Sequence, residues 1–462
     1  MKSFKRNLII AFFAQFISVL TSITISLLLP KILGVTQYSY FQLMIFGISY
    51  IGLLHFGLSD GVYLKFGGEE YEKLNYNMLS FCFWSMLTWL VVIGLLSNLA
   101  LSMIIDDAVR IYVWRSVFLY GLFANEAWFL GYIFQATNNT IRYSISIMIF
   151  KLIVLGIYLF FIMNGQNDLR QYIQVYVFAQ LLSLIYCVIY GQKIVFGLGN
   201  IKKEYIKELF DNCRVGINLT ISNISNTFIL GIGRIIVDKK WSLESFGKVS
   251  LAISLTNFIM QFMQQVSMVL FPALRRASEQ KLLEIYEALN NTVGIVICGM
   301  YIFYFPIELV LGKWLPQYSE SFMYLGLLIP IVCFDGKVYV LYNTYMKVMR
   351  KEKSILRINA LSCLFCLALS VLMASLANSI MAVVLAMVIT VCVRSFVFGL
   401  ILSAKKMKYY KVFLTELTLS IMFVGFRFCF TKIVSLIIYF LVYLIVMWVK
   451  KRDFTSLHII SK

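Results

Sequence analysis

LIIAFFAQFISVLTSITISLLL, residues 8–29, is the stretch on which the reading of this sequence turns. It contains no charged residue, and Lys2, Lys5 and Arg6 stand just before it. A helix rises about 1.5 Å per residue, so about 20 residues cross a hydrocarbon layer of about 30 Å. Residues 8–29 are long enough to do so. A cleaved secretory leader has a shorter apolar run that ends at small residues. This stretch is therefore read as a retained first membrane span.

The same pattern recurs along the chain. Further spans are expected near 38–58, 78–101, 111–134, 144–163, 171–192, 213–236, 245–270, 287–309, 321–345, 355–376, 380–402, 413–430 and 432–449. Composition agrees: 61% of the 462 residues are hydrophobic and 14% charged, with a mean hydropathy of +0.84. A soluble domain carries about 25% charged residues to coat its surface. The net charge of +19 does not point to nucleic acid, because the bases sit in short tethers between apolar runs rather than on one soluble face. With the N-terminus inside, inner segments hold 27 of the 41 Lys and Arg and outer loops hold 8. That bias is the positive-inside pattern, and it predicts an inner-membrane protein with both termini in the cytoplasm.

Other chemistries find little support. The nine cysteines lie in or against apolar runs, so no disulfide framework is expected. Cys363 and Cys366 form a CxxC in mid-span, without a histidine partner, and are read as apolar filler. His55 and His458 are the only histidines, which argues against a histidine-based metal or catalytic site. No G-x-x-x-x-G-K-[ST] loop for a nucleotide is found, and no cofactor is expected. The outer loops are too short for an external catalytic domain.

The expected organisation is an N-terminal six-helix lobe (1–192), a cytoplasmic linker (193–212), a C-terminal six-helix lobe (213–402), and two extra helices with a tail (403–462). The lobes look weakly alike. LLPKILGVTQYSYFQLMIFGIS (28–49) parallels GIGRIIVDKKWSLESFGKVSLAIS (231–254), with Lys31 matching Arg234 and Tyr38 matching Phe246. Six spans separate the two, so the repeat would be parallel, about an axis normal to the membrane.

These stretches also carry a family resemblance. LPKILGVTQYSYFQLM (29–44) resembles the first-lobe turn of polysaccharide-transport proteins, the Wzx-type flippases of the multidrug/oligosaccharidyl-lipid/polysaccharide exporter superfamily. GRIIVDKKWSLESFGKVSLA (233–252), VLFPALRRASE (269–279), LVLGKWLPQYSES (309–321) and GLSDGVYLKFGG (57–68) are similar to further motifs in the same order. The chain departs from the pattern at Gly233, where an Asp is usual, and at Ser39, where a Gly is usual. The resemblance implies an all-α membrane protein of about fourteen helices, two six-helix lobes in a V around a central cavity plus two C-terminal helices. It implies a transporter rather than an enzyme, flipping undecaprenyl-pyrophosphate-linked oligosaccharide (an O-antigen, lipopolysaccharide or capsule repeat unit) by alternating access. Its partners would be that lipid-linked sugar, membrane lipids, and polymerase and chain-length proteins, with no nucleic acid. Three alternatives stay open. They are a lipid-linked peptidoglycan precursor flippase, a cation-coupled drug exporter of the same superfamily, and a membrane glycosyltransferase or polymerase. Drugs handled by such exporters are mostly cationic and suit a base-rich cavity poorly. A glycosyltransferase would need an accessible carboxylate pair or a large outer loop.

Charges inside spans nominate the site, since each is expensive in lipid unless paired, snorkelling or facing water. Lys337, Arg394 and Lys151 are deep in their spans and, with Arg234 and Lys31 of the two turns, are expected to line a cationic cavity that holds the pyrophosphate. Arg115 and Lys248 lie near a span end and are read as snorkelling. Glu126 and Asp335 are the two acids expected in mid-membrane, in ion coupling or in structural pairs. Glu126 shares a depth with Lys151 of the next helix, and the two are expected to pair. Asp335 is two residues from Lys337, so their side chains should point apart. Pro330 removes a backbone hydrogen bond and predicts a kink in the tenth span. Tyr and Trp near span ends, such as Trp89, Trp241 and Trp314, are read as interface anchors.

Overall fold

The computed structural model describes residues 15–197, 199–275, 278–403 and 406–451. Residues 8–14 of the first span, His458, both chain ends and residues 276–277 of VLFPALRRASE lie outside them. Among the described residues the chain is helical, without strands. The helices are α1 (Gln15–His55), a short α2 (Leu58–Lys65), α3 (Tyr76–Ile104), α4 (Ala108–Ala136), α5 (Thr140–Met163), α6 (Leu169–Tyr190) and α7 (Lys203–Lys240). There follow α8 (Leu243–Arg275), α9 (Gln280–Trp314), α10 (Pro316–Val348), α11 (Glu352–Ala377), α12 (Ile380–Leu402), α13 (Lys406–Cys429) and α14 (Lys432–Val449). Among the described residues, twelve helices are long and apolar enough to cross a membrane. One of them, α1, has 41 residues and is two rods in one, and α8, 33 residues long, adds another. That is roughly consistent with the fourteen spans expected, and the protein is a multi-pass membrane protein.

The bend in α1 is a single residue wide. Gly34 has φ 68 and ψ −178, a left-handed backbone that a side chain disfavours. The expected outer turn over residues 30–37 is thus helix on both sides of Gly34, and the second rod starts at Val35. Helix starts elsewhere are marked by small polar residues. Asn75 accepts from the Met78 amide at 3.1 Å, Asp107 from Val109 and Arg110 at 2.9 and 3.1 Å, and Asp168 from Arg170 at 3.0 Å. Each satisfies donors that the first turn leaves open.

The chain divides into two compact units, Met1–Thr227 and Phe228–Lys462. The division falls inside α7, which is already helical at Lys203, within the stretch expected to be a linker. The early part of α7 is fastened into unit 1 by glycines. A Cβ on Gly61 would stand 1.9 Å from the Asn212 carbonyl oxygen, one on Gly57 2.3 Å from the Ile217 nitrogen, and one on Gly216 2.0 Å from the Gly57 oxygen. Only glycine permits backbones to approach so closely. Around this seam Thr220 donates to Asp60, and Lys65 pairs with Glu208.

Unit 2 is built round α10. Its residues from Phe322 to Lys337 are buried almost without a break, except Met323, which is half-buried. They pack in one core with Ile229, Ile253, Tyr301, Val383, Leu419 and Phe423. A helix apolar all round belongs in an interior. Pro330 lies within it, and a wider π-type turn at Val338–Tyr342 follows.

Candidate functional site

Unit 1 contains a cavity of about 190 Å³ walled by α4, α5 and α6. The spacing of the lining residues follows the helices. Tyr120, Ala127 and Trp128 come from α4; Tyr143, Ser146, Ile147, Phe150 and Lys151 from α5; Tyr176, Gln180 and Ser183 from α6. These are positions three, four, seven and eight apart, the residues that share one helical face. The rings form a connected wall: Phe150 and Tyr176 meet edge to face at 4.9 Å, and Tyr120 and Tyr176 are 5.5 Å apart. Lys151 Nζ lies 5.6 Å from the Phe150 ring centroid.

The polar groups of the lining fall into two sets. Ser146 donates to the Tyr143 carbonyl at 2.7 Å, and Ser183 to the Ser146 carbonyl at 2.9 Å. Lys151 Nζ, the Gln180 amide and the hydroxyls of Tyr120, Tyr143 and Tyr176 make no hydrogen bond to any described residue. Buried polar groups are nearly always satisfied by protein or by something held between them. This cavity is therefore equipped to hold a polar, ring-sized guest beside one positive charge.

The expected Glu126–Lys151 pair is not formed. Glu126 is 1% exposed, and neither carboxylate oxygen has a hydrogen-bond partner among the described residues. The reason is rotational. The two residues share a depth, but at 3.6 residues per turn Glu126 stands roughly 140° round α4 from the face of Tyr120, Ala127 and Trp128. Lys31, also in unit 1, is exposed beside the α1 bend.

The deep cations of unit 2 are engaged by acids, which corrects the expectation that Lys337 and Arg394 present free charge to a cavity. Lys337 Nζ reaches Glu416 of α13 at 2.7 and 3.0 Å and the Asn290 carbonyl at 3.4 Å. Arg394 of α12 pairs with Asp335. The residues two apart on α10 do point in different directions, and each finds its own partner because α10 is enclosed by several helices. Arg234 is buried on α7. At its neighbour Gly233 a Cβ would come within 2.3 Å of the Met387 sulfur, so α7 packs closely against α12 there.

Glu416 and Glu308 extend the set of enclosed acids beyond the two expected. In the sequence, Glu416 is readable only as an end-of-span residue. Glu308 binds Arg427 and, at 3.2 Å, Lys432. Sequence reasoning also misses His55 and Asp60. The Gly57 amide donates to His55 Nδ1 at 3.1 Å, leaving Nε2 to face the Asp60 carboxylate at 4.0 Å. Burial raises the Asp60 carboxyl above its ordinary range, and the Thr220 hydroxyl and His55 pull it back. Among the cavity residues, it misses Tyr120, Tyr176 and Gln180. The i, i+4 step from Tyr176 to Gln180 inside an apolar helix is the signal that could have found them.

Residues 137–315 match the profile of a family described as "Polysaccharide biosynthesis protein". No curated protein matches the sequence. Among solved structures the chain is similar to the lipid II flippase MurJ in an inward closed conformation. The TM-score is 0.70 at 13% identity, covering 97% of this chain and 99% of that one. It is also similar to an inward-facing multidrug resistance MATE family transporter of the MOP superfamily, with a TM-score of 0.58 at 12% identity over 86% of this chain and 95% of that one. A eukaryotic MATE transporter gives 0.59 at 14% identity, over 89% and 99%. Residues 137–315 are thus similar to a polysaccharide-biosynthesis family, and the helical fold is that of the lipid II flippase and MATE transporter structures.

Proposed function

We propose that this protein is a flippase that carries a polyprenyl-pyrophosphate-linked oligosaccharide across the bacterial inner membrane by alternating access. The observation that carries this reading is the cavity of unit 1, whose aromatic wall and unpartnered polar groups suit a sugar and which lies mostly on the segment that matches a polysaccharide family. Aromatic faces stack on the C–H faces of sugar rings while amide and hydroxyl groups bond their edges. A cationic drug is disfavoured, because the one charge in the lining is Lys151. The buried ion pairs of unit 2 are assigned a structural role, holding α12 and α13 to α10. The extended similarity to a flippase of lipid II makes a lipid-linked peptidoglycan precursor the second reading.

The test uses the full chain in vesicles with a short-chain polyprenyl-pyrophosphate oligosaccharide, scoring sugar exposed on the far side. Time-dependent translocation, absent from protein-free vesicles and lowered at least tenfold by Gln180→Leu, is expected. Equal translocation with and without the protein would overturn the reading. Transport of lipid II in preference to the oligosaccharide would move it to the second.

A further inference from the structure

The charge of the unit-1 cavity specifies more than a sugar. We propose that it is a subsite for a single pyranose ring bearing one carboxylate, with Lys151 as counter-ion, Tyr120, Phe150 and Tyr176 as walls, and Gln180 bonding ring hydroxyls. The inference rests on the flippase reading only in taking an oligosaccharide as cargo.

Three observations carry it. At about 190 Å³ the cavity is below the ~300 Å³ at which pockets for larger ligands begin, so it has room for one ring and not for a chain of sugars. Lys151 is the one cation in its lining, and it is unpaired among the described residues. A pyrophosphate, with several charges and many acceptor oxygens, calls for a cluster of Lys and Arg, whereas a lone lysine balances a single carboxylate. The remaining unpartnered groups, the Gln180 amide and the hydroxyls of Tyr120, Tyr143 and Tyr176, both donate and accept. Sugar hydroxyls do the same; an alkyl carboxylate would leave these groups unsatisfied.

Trp128 lines the cavity and supplies a native reporter. The full chain in lipid nanodiscs is titrated with galacturonate, galactose and inorganic phosphate. Tryptophan fluorescence is read in the wild type and in Trp128→Phe, with the shift in thermal unfolding as a second readout. Galacturonate is expected to bind saturably with a Kd on the order of 1 mM, as for a ligand of about a dozen non-hydrogen atoms. Galactose should bind at least tenfold more weakly and phosphate not at all. Lys151→Met should reduce galacturonate to the level of galactose, and Lys151→Arg should restore part of the preference. If Lys151→Met does not fold, Gln180→Leu serves, with both sugars weakened together. Equal binding of galactose and galacturonate, binding of phosphate as tight as galacturonate, or no saturable response in either readout would each overturn the proposal. A protein that binds galacturonate but does not translocate lipid-linked sugar would sink the flippase reading alone. One that translocates without binding galacturonate would sink the subsite alone.

Discussion

Lys337 and Glu416 are both 0% exposed, and the space they occupy exists because residue 294 is a glycine. A Cβ there would stand 1.8 Å from Glu416 Oε1 and 2.9 Å from Lys337 Cδ. Removing one member of such a pair leaves an uncompensated charge and costs about 3–5 kcal/mol, whereas replacing both with apolar groups is often neutral. Lys337→Met and Glu416→Leu are therefore each expected to lower the thermal unfolding midpoint in detergent, and the double variant to regain most of the loss. The same cycle on Glu126→Gln and Lys151→Met should be additive within about 0.5 kcal/mol, as for groups that share no partner. Strong coupling there, or additivity at Lys337 and Glu416, would contradict the pairing described.

At the scale of elements, α2 and the early part of α7 meet backbone to backbone at glycines, beside the apolar core that Leu58 and Val62 share with Tyr205 and Leu209. Gly57 stands just before α2 and Gly61 lies one turn into it, and Gly216 meets both from α7. Close backbone approach of this kind is how small residues serve helix pairs in membranes. Gly61→Ala is expected to force the pair apart and to speed amide hydrogen exchange over residues 205–220. Gly94→Ala, at a glycine where an added Cβ would meet nothing within 4 Å, should leave exchange there unchanged. Unaltered protection at 205–220 in Gly61→Ala would show that the seam does not hold α7.

For the whole molecule, the path of the chain across the membrane follows from charge. Lys202 precedes α7, and Gln317 follows α9, so three crossings separate them. Lys193, Lys202, Lys203 and Lys207 crowd the first position, the side that positive charge marks as cytoplasmic. Reporter fusions at Lys202 and Gln317 should read opposite compartments, Lys202 inside. Matching signals would require a crossing to be lost or gained between them.

How much of this was legible in the sequence differs by kind of force. The number of spans was, because each must hide its own backbone polar groups and show about 20 apolar residues to lipid, a local requirement written into consecutive positions. The bend at Gly34 was also visible as a turn, although its width of one residue was not. Which charges meet was a different matter. Spacing within one helix can be counted, and it rightly separated Asp335 from Lys337, but it could not foresee Arg394 and Glu416 as their partners, and a shared depth did not bring Glu126 to Lys151. Those outcomes depend on how far each helix is rotated about its axis and which helix lies beside it. A dense polar-aromatic lining such as that of Tyr120, Lys151 and Gln180 arises only where three helices turn those faces toward one another. Sequence by itself determined a membrane protein of about fourteen spans with a polysaccharide-transport likeness. Tertiary structure alone decided that Lys337 and Arg394 are neutralised while Lys151 faces a cavity, because pairing is a property of helix rotation and neighbourhood, and neither is encoded in the spacing of a single helix.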